Sequence, residues 1–449
     1  MYSIIKKSQL EGAKRLDAEY YQPEYFIDFS KGKWQPIGDF FEMCQYGISR
    51  AMNNKGIGYP ILKMDDIKDA FLFDDEVRYA DIPDNLFRTF KLDKNDVLFN
   101  RVNSEEFVGR TGIFKLNIKA VFASYLIKLR LKKDSIILPD YLNIFLNSNF
   151  GLKQIRKFRR RAVNQANVNA EELKQIRIAI LPSIFQKEIE KLSNESWRNL
   201  EVSKALYSQA ESLLFEDLDL ENFGNQSDSL FTIVNFSEVK EVARLDAEYF
   251  NSDVNKLIDK IKKIAKPLGE LVSIKKGIEP GAEEYLEQGK QFIRVSSLSK
   301  YGIDDNNQKC LSEELYQKLK NDFQPKKGEI LLTKDASPGV TYVLKEDIDS
   351  IVSGGVLRLK IKNKSVEDEY LALCLNSVVG QMQAERDAGG SVIKHWKPEQ
   401  IKQVMIPILA KPVQEKITSL IRESFVARKK AKGLLDEAKQ KVEEMIENN

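Results

Sequence analysis

The stretch RLDAEYYQPEYF (Arg15–Phe26) returns as RLDAEYFNSDVN (Arg244–Asn255), 229 positions later. The offset holds upstream without a gap. Ile4 lies over Ile233, Ile5 over Val234, Ser8 over Ser237 and Leu10 over Val239. Downstream the match is patchier but keeps its order. YPILKMDDIKD from Tyr59 lies over QFIRVSSLSKYG from Gln291, and DYLNIFLNSNFGLKQI from Asp140 over EYLALCLNSVVGQMQA from Glu369. SIFQKEIEKL from Ser183 lies over KPVQEKITSL from Lys411. One order and nearly one period indicate duplication of a whole unit of about 225 residues, not of a motif.

Both units carry the same series of predicted elements. Each opens with a short apolar strand, Ile4-Ile5 or Ile233-Val234. A short helix carrying the hexapeptide follows, with Ser8 or Ser237 as its cap. On that helix Leu16 and Tyr20 share a face, and Arg15 pairs with Glu19. Short strands broken by Gly, Asn and Asp fill the middle. An apolar-faced helix comes next, then a last strand (residues 176–181 or 404–409) ending at a Pro-containing turn.

A long helix closes each unit. The first seam runs Ile189, Leu192, Ser196, Leu200, Ser203, Leu206, Ala210, Leu213. The second runs Val413, Ile417, Leu420, Ser424, Ala427, Ala431, Leu434, Ala438, Val442, Met445. Steps of three and four mark a coiled coil. Neither stripe can stay exposed to water, so the two helices are expected to pair with each other, antiparallel, with pseudo-two-fold symmetry. The expected fold is therefore α+β. Two similar globular domains of short strands plus helices occupy residues 1–182 and 230–409. Two long helices, 183–215 and 410–449, separate them and pair as an antiparallel coiled coil; residues 216–229 form a polar linker. A helix of about 30 residues is about 45 Å long, which would make it a ruler between the domains.

Composition narrows the function. The 449 residues are 42% hydrophobic, enough for two or three cored domains. Net charge is only +3, so any nucleic-acid surface must be local. Cys44, Cys310 and Cys374 are far apart in sequence, which argues against a disulfide framework and suits a reducing compartment. His395 is the single histidine, so the chain has no spaced Cys/His pairs for a zinc site, and no Ser-His-Asp or Cys-His arrangement unless His395 serves it; HWKPEQ reads as a turn entering a helix. The chain has no phosphate-binding GxxxxGK[ST] loop, no adenosylmethionine-binding Gly motif and no Asn/Asp-Pro-Pro-aromatic loop. Asp66-Ile67-Lys68 has the spacing of part of a nuclease centre but lacks an upstream Pro-Asp. No apolar run approaches the roughly 20 residues of a membrane helix, and the N-terminus has no secretory core, so a cytoplasmic location is expected.

Each last strand leads through Pro to a Gln that opens the long helix. The first copy is IAILPSIFQKEIEKL, with Pro182 and Gln186; the second is MIPILAKPVQEKITSLI, with Pro407, Pro412 and Gln414. With the paired RLDAEY segments, this layout resembles the specificity subunit of Type I restriction–modification systems, over essentially the whole chain. The duplicated order carries the resemblance more than any one motif. It implies a non-catalytic DNA-reading subunit with two target-recognition domains, each reading one half of a bipartite site in double-stranded DNA. It further implies that the helices set the spacer and dock two methyltransferase subunits, with ATP-dependent restriction subunits where a system has them. The subunit itself would hold no cofactor. S-adenosylmethionine would belong to the methyltransferase, and ATP and Mg to the restriction partner. Two alternatives are the recognition subunit of a Type IIB-like enzyme and a two-armed coiled-coil scaffold.

Basic and amide-rich loops at strand ends are the candidate DNA contacts. The strongest is RKFRRRAVNQANVN (Arg156–Asn169). Arg159, Arg160 and Arg161 would bind phosphates, while Asn164 and Gln165 would read base edges. Three adjacent arginines on a loop repel one another unless an anion is near. The equivalent stretch, ERDAGGSVIKHWKPEQ, offers Lys394, His395 and the plane of Trp396. Further pairs of loops sit at equivalent positions of the two units. Gln45, Ser49 and Arg50 lie opposite Lys275 and Lys276. Arg101, Asn103, Ser104 and Arg110 lie opposite Lys334 and Ser337, and Lys63 opposite Arg294 and Ser296. The hexapeptide, matched between copies, is expected far from these divergent loops, in core packing or methyltransferase docking.

Overall fold

A computed structural model describes residues 6, 15–75, 77–105, 107–162, 165–221, 223, 232–242, 244–246, 249–304, 309–389 and 394–448. The chain divides into two compact units. The first is Met1–Glu201 with Ala427–Asn449, the second Val202–Val426. Each unit thus includes a stretch of both long helices.

The main sheet of the first unit runs Phe41–Tyr46, Leu126–Leu131, Val97–Asn100, Thr111–Ile113, then the short strands Phe71–Leu72 and Ile67–Lys68. The second unit repeats its first four strands as Val272–Lys276, Val356–Ile361, Ile330–Thr333 and Thr341–Val343. The strands Val97–Asn100 and Ile330–Thr333 are buried along their whole length, which is why each reads as an unbroken apolar run instead of an alternation. A smaller sheet places Tyr59–Leu62 between Val121–Phe122 and Arg78–Ala80; its counterpart places Lys290–Ile293 between Ser350–Val352 and Lys309–Leu311. In both, one pairing is parallel and the other antiparallel. Two-stranded ladders, Trp34–Pro36 with Arg177–Ala179 and Ala265–Pro267 with Met405–Pro407, complete the parallel between the units. The apolar segment expected as one helix is two, Pro139–Leu146 and Asn149–Phe158, matched by Asp368–Asn376 and Val378–Asp387. Ser148 and Ser377 cap the second member of each pair.

Glycine is required at one equivalent place. A Cβ on Gly47 would lie 2.2 Å from the Ala123 carbonyl oxygen, and one on Gly277 2.1 Å from that of Ser353. The main strand leaves its sheet here by running against a neighbouring backbone, and no side chain fits.

The long helices are Ser183–Asp217 and Lys411–Glu447. In the first unit, Ser196 Oγ donates to the Ala431 carbonyl at 2.8 Å, and Lys441 pairs with Glu188 at 2.8 Å. In the second, Ser424 Oγ donates to the Ser203 carbonyl at 2.7 Å. Hydroxyl-to-backbone bonds across a helix pair require small residues at the contact; Ser193, Ser196, Ser203, Ala210, Ser424, Ala431 and Ala438 supply them, all buried. The seam differs from expectation by one residue in places. Ser193, Tyr207, Leu214 and Leu435 are buried where Leu192, Leu206, Leu213 and Leu434 were expected.

The start of each unit also differs. Ile4-Ile5 and Ser8 lie outside the described residues. Ile233-Val234 forms no strand, and Ser237 sits inside the helix Phe236–Val242, not at its cap. Arg15–Asp17 is not helical; only Ala18–Tyr21 makes a 3₁₀ turn. Tyr20 is buried and Leu16 is 85% exposed, so they share no face. Arg15 pairs with Asp17, not Glu19.

Gln186 and Gln414 hold the junction between each globular part and its long helix. The Gln186 amide oxygen accepts from Leu138 N at 2.9 Å, and its nitrogen donates to the Ile136 and Leu181 carbonyls at 3.0 and 2.9 Å. Gln414 accepts from Glu367 N at 3.0 Å and donates to Ser365 and Leu409 at 2.9 and 2.8 Å. Both side chains are buried. Gln186→Ala removes partners from three backbone groups and is expected to cost about 2 kcal/mol or more. Denaturant unfolding of the full chain measures it; a loss below about 0.5 kcal/mol would show that water replaces the amide.

Candidate nucleic-acid interface

The RKFRRRAVNQANVN stretch is a helix end followed by a hairpin, not a loop. Arg160–Ala162 pairs with Gln165–Asn167, which pairs in turn with Val102–Asn103. Arg161 stands opposite Ala166, and Ala166 opposite Asn103. Asn164, between these two strands, lies outside the described residues. This small sheet brings Arg160, Arg161 and Gln165, all exposed, beside Arg101, Asn103 and Ser104.

Other candidates join it. The Arg101 guanidinium lies 4.9 Å from the centre of the Tyr46 ring and donates to the Ser124 carbonyl at 3.1 Å. Tyr46 Oη accepts from Ala170 N at 2.9 Å, tying the Gln45–Arg50 stretch to the hairpin's exit. Ser49 and Arg50 are exposed beyond it. Gln45 is half-buried and donates to the Thr89 carbonyl at 3.3 Å. Asn103 Nδ2 reaches Met64 Sδ at 3.3 Å, which draws in the Lys63 loop, and Asn103 Oδ1 accepts from Ser104 N at 2.8 Å. The Arg110 guanidinium lies 4.1 Å from the centre of the Phe107 ring. Four stretches distant in sequence thus meet at one edge of the unit. Sequence reasoning passed over Tyr46 and Tyr125, large aromatics 41% and 45% exposed here. Tyr46 lies between the candidates Gln45 and Ser49, but nothing local marks it as exposed.

The anions expected near the arginines are internal. Arg161 pairs with Glu105 at 2.6 Å and Arg160 with Glu172 at 2.7 Å. Arg159 is mostly covered and holds Glu105 twice, at its carboxylate (3.3 Å) and carbonyl (3.0 Å). Arg160 and Arg161 therefore face solvent already paired with carboxylates, which they share with Arg15 and Arg159, while Arg159 braces the hairpin base.

The second unit assembles its candidates through single bridges. The Asp335 backbone pairs with that of His395, and His395 with Gly389. His395 Nδ1 lies 2.8 Å from Asp335 Oδ1, and Lys334 Nζ donates to Asp335 Oδ2 at 2.6 Å. Ala336 N donates to the Lys394 carbonyl at 2.9 Å, and Lys334 N to Gly355 at 2.9 Å. The Arg294 guanidinium lies 5.9 Å from the Tyr285 ring centre. Lys275, Lys276, Ser296, Ser337, Lys394 and His395 are exposed. Trp396 is a correction. It is 1% exposed and packs in the apolar core of the unit, so its indole presents no plane to a ligand. Its backbone N–H donates to the Lys334 carbonyl at 2.8 Å. Its size is spent on fixing the loop from beneath.

The hexapeptides lie against these structures, contrary to expectation. Arg15 Nη1 donates to the Phe158 carbonyl at 2.9 Å and Nη2 to the Arg159 carbonyl at 3.2 Å, immediately before the hairpin. Arg244 makes the corresponding bonds to Arg386 and Asp387 at 3.0 and 3.2 Å. Among the described residues no cluster of His, Cys, Asp or Glu could hold a metal, and no helix is long and apolar enough to cross a membrane.

Comparison with known proteins matches both units to one family, described as the Type I restriction modification DNA specificity domain, over residues 31–194 and 262–424. The chain belongs to this family. It is 30% identical over 186 residues to the type I restriction enzyme MjaX specificity subunit of Methanocaldococcus jannaschii, covering 39% of this chain and 43% of that one. It is 28% identical over 170 residues to the EcoKI specificity subunit of Escherichia coli K12, covering 37% and 35%. The matched stretches thus span less than half of either relative. Among solved structures it is similar to a Type I S subunit from M. genitalium (TM-score 0.40, 13% identity, 93% of this chain and 98% of that one). It is also similar to the HsdS subunit of Thermoanaerobacter tengcongensis (TM-score 0.30, 13% identity, 93% and 99%). As a member of the family the chain carries two DNA specificity domains.

Asp66 marks the Lys63 loop. Its buried carboxylate accepts from Lys63 N at 2.7 Å, and burial pushes its pKa up from 3.8 to about 6. A raised carboxyl pKa means the folded state binds the extra proton, so stability falls as pH rises from about 4 through 6. Asp66→Asn is expected to remove that part of the pH dependence and to be the more stable form at pH 8. Melting temperature against pH tests it; parallel wild-type and variant curves would contradict it.

Proposed function

We propose that this chain is the DNA-reading subunit of a Type I restriction–modification complex. Each unit reads one half of a bipartite site in double-stranded DNA, and the long helices set the spacer and dock two methyltransferase subunits. In this reading the chain performs no chemistry; the methyltransferase brings S-adenosylmethionine, and any restriction subunit brings ATP and Mg. The complex works in the cytoplasm, with residues 1–182 and 230–409 as the target-recognition domains. The observation that carries the proposal is the presence of two DNA specificity domains in one chain, the first gathering exposed Arg160, Arg161 and Gln165 beside Arg101 and Asn103, the second bringing exposed Ser337, Lys394 and His395 together from two distant stretches. A two-armed protein scaffold would have no need of that chemistry. Arg160, Arg161, Lys275, Lys276 and Lys394 would neutralise phosphates, while Gln165, Asn103, Ser337 and His395 would face base edges. The chain, co-expressed with its cognate methyltransferase, should give one split motif when modified adenines are mapped across a genome. Exchange of residues 1–182 should then change one half of that motif. An active complex that leaves no motif would refute the proposal.

The internal carboxylates make a second prediction. Arg161 and Glu105 are each about half exposed, and such a pair contributes about 0–1 kcal/mol, so a phosphate can displace the glutamate at little cost. Glu105→Gln removes the competitor. DNA affinity should rise, and the plot of log K against log salt should steepen by about one unit. An unchanged slope would mean that Arg161 never leaves Glu105 for DNA.

A further inference from the structure

We infer that the repeated hexapeptides are positioning clamps for the DNA-reading loops, with Arg15 and Arg244 as the working residues. The inference rests on the DNA-reading role proposed above. The helix Asn149–Phe158 ends where the hairpin begins, and its last carbonyls have no helical partners. The Arg15 guanidinium fills that gap at Phe158 and Arg159, placing positive charge at the negative end of the helix. Its other edge grips Asp17, with Nε at 2.8 Å and Nη2 at 2.6 Å, and its face lies 4.8 Å from the centre of the Tyr20 ring. It also lies 3.5 Å from Glu172, the carboxylate that holds Arg160. Arg15 therefore reaches both the backbone from which the hairpin leaves and the acid that orients its first strand.

The second copy repeats the device with different surroundings. Arg244 caps the end of Val378–Asp387 through the Arg386 and Asp387 carbonyls, grips Asp246 at 2.7 and 2.6 Å, and lies 4.7 Å from the Tyr249 ring centre. Gly389, two residues beyond, pairs with His395. Thus in both units the Arg of RLDAEY binds the Asp, the Tyr ring and two carbonyls at a helix end, one residue earlier in the second copy, and both clamps stand at the root of a candidate reading loop. Core packing accounts for only part of the motif: Tyr20 is buried in the apolar core of the first unit, whereas Leu16 and Leu245 are 85% and 83% exposed. Lysine cannot replace the arginine, because one ammonium cannot bind a carboxylate side-on and two carbonyls at once.

The test is half-site discrimination, measured with the full chain co-purified with its methyltransferase on a duplex library randomised in both halves. Arg15→Ala should lower base discrimination in one half by roughly tenfold, the scale of one misplaced bidentate contact, and leave the other half unchanged. Arg244→Ala should do the reverse. Arg15→Lys, which keeps the charge and disturbs folding less, should lose discrimination in the same half as Arg15→Ala. A merely structural role would lower the melting temperature and the occupancy of all sequences alike. Uniform weakening with both half-site preferences intact therefore overturns the inference while leaving the proposed function standing. A wild-type complex that selects no split motif overturns the proposed function and the clamp with it.

Discussion

Backbone groups buried at the junctions between short elements need partners, and in this protein side chains supply them. Strands of two to six residues joined by tight connections leave many amides and carbonyls outside any regular ladder. Gln186 and Gln414 satisfy three each. Gln154 bridges Phe150 and Arg177, and Gln383 bridges Val379 and Met405 in the same way. Tyr141 and Tyr370 donate to the Ala179 and Pro407 carbonyls. Arg15 and Arg244 do the same at helix ends. Apolar positions tolerate exchange of one hydrophobe for another, as Ile5 over Val234 and Leu10 over Val239 illustrate. A junction amide has no such substitute, because its donor and acceptor must both fit. Each of these polar residues is accordingly identical between the two copies.

That division of labour leaves the loops free. The frame is held by side-chain-to-backbone bonds, so it places few demands on what the loops present. The first unit builds a three-stranded sheet around Arg160, Arg161 and Gln165; the second reaches the same place with single bridges around Asp335 and His395. The charges differ too. The first unit's arginines pair with Glu105 and Glu172, while in the second Asp335 is shared by Lys334 and His395. Each edge is thus pre-ordered by its own acids before any ligand arrives, which lowers the entropy cost of ordering long cationic side chains on binding.

The duplication, the order of elements and the two long helices were legible in the sequence, because repeat and periodicity are local signals. The seam slipped by one residue where two apolar residues stand side by side, as at Leu206-Tyr207, Leu213-Leu214 and Leu434-Leu435. There periodicity allows either choice and the facing helix decides. The hairpin was not legible, since RRRAVNQAN has no hydrophobic alternation and its register is set by Asn103, some sixty residues earlier. Trp396 was misplaced for a similar reason, because its flanks are polar and its burial comes from elements distant in sequence. The clamp was invisible because Arg15 and its carbonyl partners are separated by 143 and 144 positions.

In the proposed function, two different half-sites set a demand that one rigid surface duplicated unchanged cannot meet. The surfaces must differ chemically yet be carried in comparable frames. Divergent loops alone would drift in position as they changed in sequence, and a displacement of about 1 Å is enough to spoil a bidentate base contact. A clamp that grips backbone carbonyls escapes this conflict. It fixes where the loop leaves the frame without touching the side chains that follow. Arg15 does so before a hairpin led by arginines, and Arg244 before a loop ending in Lys394 and His395. The same six residues can therefore stand unchanged beneath two surfaces that share little else. Their recurrence is most simply explained by the geometry of the loop root, which both units must keep, and not by anything either loop recognises.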